Sequence, residues 1–199
     1  FLKRCSKEWQ KTLHGFLQGC LPTSIGAGGA ARDSDLREDW QALVVELAAI
    51  APGGELITYI LPQLEGVVQM EDEATRVSGT ELLGRLFLLG DGDIANTIPA
   101  LFSTAFLGRF KDVSAAVRLA AVEQGAALAV HKNALRSDLL RMLRERILDS
   151  HDKVREAVVV GICEHAGDDL DAFAPILEDA SLRMADKRPK ETKRSALCS

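Results

Sequence analysis

Cys163 and His165 bring a thiol and an imidazole within two residues of each other, the two groups a thiol hydrolase needs as nucleophile and base. Residues two apart on a helix face different directions, and no third group is spaced to orient the imidazole, so the sequence reads them as separate helix positions. His131, His151 and His165 would offer three nitrogens to a metal if the fold gathered them. They stand at the ends of different segments, with neither HExxH nor Cys/His ligand spacing, and helix-end histidines favoured by the C-terminal dipole are the simpler account. Cys5, Cys20, Cys163 and Cys198 form no CxxC pair, so reduced thiols of an intracellular protein are expected. The glycine-rich GAGGA at 26–30 has no strand before it and an acidic helix after it, which argues against a phosphate-cradling loop. No catalytic residue, metal or cofactor is expected.

The remaining polar chemistry is that of ion pairs. Asp72, Asp112 and Asp152 are spaced 40 and 40, and Arg76, Arg118 and Arg155 are spaced 42 and 37. An aspartate at a turn, or Ser114, can accept the free N–H groups that open a helix, while an arginine after it reaches carboxylates or carbonyls of the adjacent unit. Recurrence once per unit marks these six residues as a structural turn ladder. Charge is also uneven along the chain: Glu55 to Asp93 holds eight acids against Arg76 and Arg85, and Lys132 to Arg155 holds seven bases against four acids. Arg141, Arg144 and Lys153 are therefore a candidate partner-binding patch for an acidic segment or for passing DNA, with a merely solvated face as the plain alternative. The basic run Arg183 to Arg194 around Pro189 reads as an exposed turn between helices.

The spacing of these groups implies the elements that carry them. A helix–turn–helix unit recurs as LITYILPQLEGVV, MEDEA and TRVSGTELLGRLFL, then IPALFSTAFLGRF, KDVSA and AVRLAAVEQGAALAV, then LRSDLLRMLRERIL, DSHDK and VREAVVVGICEHA. LDAFAPILEDASLRM begins a fourth unit, truncated after KRSALCS. A period near 40 belongs to HEAT and armadillo arrays, so the expected fold is all-α, a HEAT-type α-solenoid of stacked antiparallel helix pairs. Its second helices carry apolar stripes at Val117, Ala121 and Leu128, and at Val154, Val158 and Ile162, widened by Val159 and Cys163. In the third unit Leu140, Leu143 and Ile147 mark the buried face of the first helix, with Arg141, Arg144 and Glu145 outward. Gly79, Gly84, Gly125 and Gly161 fall inside helices, which close crossings would offset, and Pro62 falls in a first helix, where a kink is tolerable. Before the repeats, residues 1–21 hold a helix from about Ser6 to Leu21, 22–34 a flexible glycine-rich linker, and 35–199 the array, opening with a helix capped by Ser34 or Asp35 whose face is Leu36, Trp40, Leu43, Val44 and Leu47.

Composition agrees. Hydrophobic residues make up 47% of the 199, but aromatics only 5%, which suits close-packed helices rather than a sandwich. A net charge of −5 argues against a nucleic-acid-binding body as a whole. No apolar run is long enough to span a membrane, and no signal peptide opens the chain, which begins at Phe1 and is expected to be a fragment.

The blocks ILPQLE, LLGRLF, GRFKDVSAAVRL and VREAVVV are more specific than a generic repeat pattern, and from about Asp35 to Leu197 the sequence resembles the precocious-dissociation-of-sisters family of cohesin-associated regulators. The resemblance implies a nuclear, chromatin-associated, non-catalytic scaffold. It also implies partners: the cohesin kleisin subunit and cohesin release or acetylation factors, with no small-molecule substrate. The alternative readings are a HEAT-repeat adaptor of a phosphatase or nuclear-transport type and, further off, a thiol hydrolase using Cys163.

Overall fold

The computed structural model describes residues 34–50, 55–89, 100–166 and 170–186, with residues 12, 15 and 19 helical. The expected glycine-rich linker, most of the expected first helix, and the turn and second helix of the fourth unit lie outside the described residues. The architecture is an all-α, HEAT-type solenoid of antiparallel helix pairs. In chain order, α1 is Ser34–Ile50, α2 Glu55–Val67 and α3 Glu73–Leu89. α4 is a π-helical segment, Leu101–Phe106, that runs on as α-helix through Leu107–Arg109. Then come α5 Ala115–His131, α6 Arg136–Arg146, α7 Asp152–Ala166 and α8 Ala174–Asp186, with 3₁₀ turns at Asn133–Leu135 and Leu170–Phe173 leading into α6 and α8.

These helices form two layers. The second helices α3, α5 and α7 pack side by side, and α1 continues the same layer by packing on α3. The first helices form the other layer, with α2 against α4 and α6 against α8. One apolar core runs without a break from Val44 of α1 to Ala180 of α8. Neither layer could bury this surface alone, so stability arises from the interfaces between pairs. The expected stripes of α5 and α7 are buried at Val117, Ala121, Leu128, Val154, Val158 and Ile162. Among the described side chains of α1, Gln41, Val44 and Ala48 are buried and Trp40 and Leu43 are half-buried, while Leu36 and Leu47 of the expected face lie outside the described side chains. Gln41 is tolerated there because its Nε2 donates to the Ser78 carbonyl of α3 at 3.3 Å.

The tight second-helix layer depends on small residues. α5 lies between Gly84 of α3 and Gly161 of α7: a Cβ on Gly84 would run into Gln124, and one on Gly161 would stand 2.8 Å from the Ala126 Cβ. Gly125 of α5 faces the ring of Phe110, and Gly79 of α3 faces Val67 Cγ1 at the C-terminus of α2. These approaches offset the helix-propensity cost of glycine, about 1 kcal/mol each. α2 runs unbroken through Pro62, whose side chain is exposed.

The π-helical segment was not foreseen by the repeat pattern. It carries the Leu107 N–H to the Phe102 carbonyl, five residues back. The wider turn places residues four apart more nearly above one another, and Phe102 and Phe106 stack with centroids 6.0 Å apart and an interplanar angle of 22°. Phe87 meets both rings edge-on and Phe110 meets Phe106 likewise, giving the junction of α3, α4 and α5 an aromatic centre.

Gly125→Ala should destabilise the chain by about 1–3 kcal/mol, because the new methyl meets the fully buried Phe110 ring. Gly66→Ala, whose Cβ would meet nothing within 4 Å, should stabilise it by about 0.4–1 kcal/mol. Urea unfolding of the two variants measures both, and equal effects of one sign would contradict the packing described.

Candidate functional site

Each turn within a pair leaves the last carbonyls of one helix and the first N–H groups of the next without helical partners. The sequence answers this with one arginine per pair. Arg76, Arg118 and Arg155 each occupy the fourth position of their second helix, and because helical side chains lean toward the N-terminus, each reaches back over its own turn. The Nη1 of Arg76 donates to the carbonyls of Met70 at 2.9 Å and Glu71 at 2.6 Å. Arg118 does the same to Asp112 at 2.8 Å and Val113 at 3.1 Å, and Arg155 to Asp149 at 2.7 Å.

The remaining donors cross to the next pair. Arg76 Nε and Nη2 donate to the two carboxylate oxygens of Asp112 at 3.1 Å each, and Arg118 grips Asp149 in the same forked way at 2.8 Å each. Each acceptor is further fixed from within its own unit. Arg109 reaches Asp112 at 2.9 Å and Arg146 reaches Asp149 at 3.0 Å, each from three residues upstream. The amides two residues downstream, Ser114 and His151, donate to the same carboxylates at 2.9 Å each. Arg109 also ties back to the preceding turn through the Val68 carbonyl at 2.5 Å.

The structural register is thereby fixed, and it is the arginine register. Arg109, Asp112, Ser114 and Arg118 recur 37 residues later as Arg146, Asp149, His151 and Arg155. Going back 42 from Arg118, Ser114 and Asp112 gives Arg76, Asp72 and Met70. The evenly spaced aspartates of the expected ladder thus hold three different posts. Asp72 caps α3, its Oδ2 accepting from the Thr75 N–H at 2.7 Å and the Thr75 hydroxyl at 2.6 Å, the post Ser114 fills for α5. Asp112 is an inter-pair acceptor. Asp152 is the first residue of α7, with 81% of its side chain exposed, and the acceptor of the third pair is Asp149. The repeated RxxD at 109–112 and 146–149 is the signal that could have found Asp149, Arg109 and Arg146 from sequence.

Burial by itself would raise the Asp149 carboxyl. The hydrogen bonds from Arg118 and from the His151 amide, with the charges of Arg118 and Arg146, outweigh it and hold the pKa at about 2. The bond to Asp149 likewise raises the Arg118 guanidinium above its ordinary value. Thr75, through its hydroxyl and its amide, lowers the Asp72 carboxyl.

The basic patch is only partly assembled. Arg141 and Arg144 are exposed on the outer face of α6 and line one groove, whereas Lys153 is exposed on the first turn of α7, outside that groove. Arg144 Nε bridges to Asp179 of α8 at 2.6 Å. The buried face of α6 is Leu139, Met142 and Leu143, with Ile147 just beyond, and Leu140, expected inside, is half-buried at the groove.

Cys163 is exposed rather than part of the buried stripe of α7, and no hydrogen bond joins it to a base among the described residues. His165 stands edge-on to His131 with centroids 6.0 Å apart, across the C-terminal ends of α5 and α7. His151 lies elsewhere, 3.5 Å from Asp152, and no group of three or more metal-ligating side chains gathers among the described residues. No described helix is long and apolar enough to cross a membrane.

Comparison with known proteins agrees with this architecture. Residues 1–197 match the family described as sister chromatid cohesion protein PDS5. The chain is 34% identical over 169 residues to sister chromatid cohesion protein PDS5 homolog A-B of Xenopus laevis, covering 85% of this chain and 12% of that protein. It is 34% identical over 142 residues to PDS5 homolog A of Mus musculus, and 31% identical over 142 residues to PDS5 homolog B of Gallus gallus, each covering 71% of this chain and 10% of the relative. The chain therefore spans about a tenth of the length of the relatives it matches.

Asp149→Asn should cost about 3–5 kcal/mol of stability, since it leaves the buried Arg118 without its counter-ion. Asp152→Ala removes only an exposed first-turn carboxylate that accepts the Lys153 amide, so it should cost much less, and a reversed order in denaturant titrations would mean that Asp152 is the acceptor. The depressed Asp149 pKa also sets a pH dependence. Between an unfolded value near 3.8 and a folded value of about 2, the unfolded chain binds the proton and the folded chain does not. The stabilisation is present above pH 4 and lost as pH falls through this window. Thermal scans should show a shallower acid slope there in Asp149→Asn than in the native chain.

Proposed function

The chain belongs to the PDS5 family of sister chromatid cohesion proteins, and we propose that it is a non-catalytic scaffold segment that acts in sister chromatid cohesion by binding cohesin and its regulators in the nucleus. The observation that carries this reading is the family match across residues 1–197. The architecture supports it: among the described residues, the helices pack through one stripe and expose another. The second-helix layer offers Glu38, Glu46, Glu123, Glu156, Val160 and Glu164 to solvent, and the first-helix layer offers Arg141 and Arg144. A surface of this kind is extended and chemically mixed, suited to holding a long protein segment through many modest contacts. The kleisin subunit of cohesin, and the factors that release or acetylate cohesin, are the proposed partners.

The immobilised chain, shown to be helical by circular dichroism, should retain cohesin subunits from nuclear extract above the level held by an unrelated helical-repeat protein of similar charge. Quantitative mass spectrometry measures the enrichment. A folded chain that retains no cohesin subunit would sink the proposal that this segment binds cohesin.

A further inference from the structure

We propose that the groove between α6 and α8 docks a short partner segment carrying one bulky aliphatic or aromatic side chain next to a carboxylate. This deepens the scaffold reading and rests on it. The groove has a volume of about 530 Å³ and is walled on its apolar side by Leu140, Leu148 and Ile176, a size suited to a few side chains. Leu148 is 55% exposed, although Ile147 beside it is buried. The core of α6 is filled by Leu139, Met142 and Leu143. Leu140 packs part of its surface against the core, and its remaining surface lies with the exposed Leu148 on one side of one groove.

The charge at its rim selects the occupant. Arg141 and Arg144 have 57% and 59% of their side chains exposed. Arg144 commits one donor to Asp179. Arg141 is ion-paired at long range to Asp138 at 3.6 Å and to Glu145 at 3.9 Å, but neither pair is close enough for a hydrogen bond, so its guanidinium donors remain open to a carboxylate that can approach closer. Glu145, the acid lining the groove, is itself engaged by Lys111 at 3.2 Å. The charges at this rim are paired, and what stays open beside the apolar wall is the set of guanidinium donors on Arg141. A basic segment would be repelled and a purely apolar one would leave Arg141 unused, so the complement is an apolar anchor flanked by Asp or Glu.

The test is selection of a random peptide library displayed on phage against the whole chain. Leu148→Asp and Arg141→Glu, both at exposed positions and checked for native helicity, serve as counter-targets. The expected result is a consensus of one large apolar residue with a neighbouring Asp or Glu. Its synthetic peptide should lose about tenfold or more in affinity on either variant, with an acid-to-Lys peptide recovering binding to Arg141→Glu. Peptides without a carboxylate preference, or binding equal on all three proteins, would overturn the proposal. So would a concentration-dependent dimer in sedimentation that Leu148→Asp abolishes, since the groove would then belong to a second copy. If no peptide is selected while the native chain still retains cohesin, the groove inference fails alone. Selection at the groove with no cohesin retained would uphold the groove and remove the cohesin reading.

Discussion

A buried guanidinium is tolerated only when its donors are met and its charge is balanced, and the register of this stack follows from how Arg76 and Arg118 satisfy that condition. Each meets it with two different parts of the molecule at once. One arm closes the carbonyls of its own turn, and the fork closes on the carboxylate of the following turn. A hydrophobic interface between helices can slide at little cost, because apolar contact has no direction. A bidentate arginine–carboxylate contact has direction and length, so it fixes where each pair sits on the last. The carboxylates are in turn held by Arg109 and Arg146 and by turn amides, so the acceptor is positioned by contacts other than the inter-pair arginine.

The rest of the structure fits around that spacing. With the turns clasped, the second helices lie close, and α5 can do so on both sides only because Gly84 and Gly161 remove the side chains that would hold its neighbours away. Alanines at 120, 121, 126, 127 and 129 give α5 itself a low profile. The first helices, away from the clasps, are filled by larger residues, including the aromatic group around Phe106. The small-residue layer thus lies opposite a large-residue layer, whose outer side carries the groove at α6 and α8.

Arg136 extends the same economy to the end of the array. Its Nε and Nη2 donate to the Ala129 and Val130 carbonyls at 2.9 and 3.1 Å, closing the C-terminus of α5, while its guanidinium lies 5.4 Å from the centre of the Phe173 ring before α8. Arginine again links a helix end to the neighbouring unit, here with a π face in place of a carboxylate. A lysine could supply the charge but not a planar fork and a stacking surface together.

Much of this was legible in the residues alone. The helical period, the turns, the layer-forming stripes at Val117, Ala121 and Val154, and the recurrence of Arg76, Arg118 and Arg155 follow from local rules, because periodicity and capping act over a few residues. What the tertiary structure decided was which partners those residues take. The spacing of 40 drew Asp72, Asp112 and Asp152 together, whereas the folded chain repeats at 42 and then 37 and uses Asp149, because the acceptor must lie opposite an arginine of another pair. The burial of Gln41 in α1, the π-helical turn that stacks Phe102 on Phe106, the half-burial of Leu140 and the exposure of Cys163 have the same origin. Each depends on the shape of a neighbouring helix distant in sequence, and no window along one helix contains that shape.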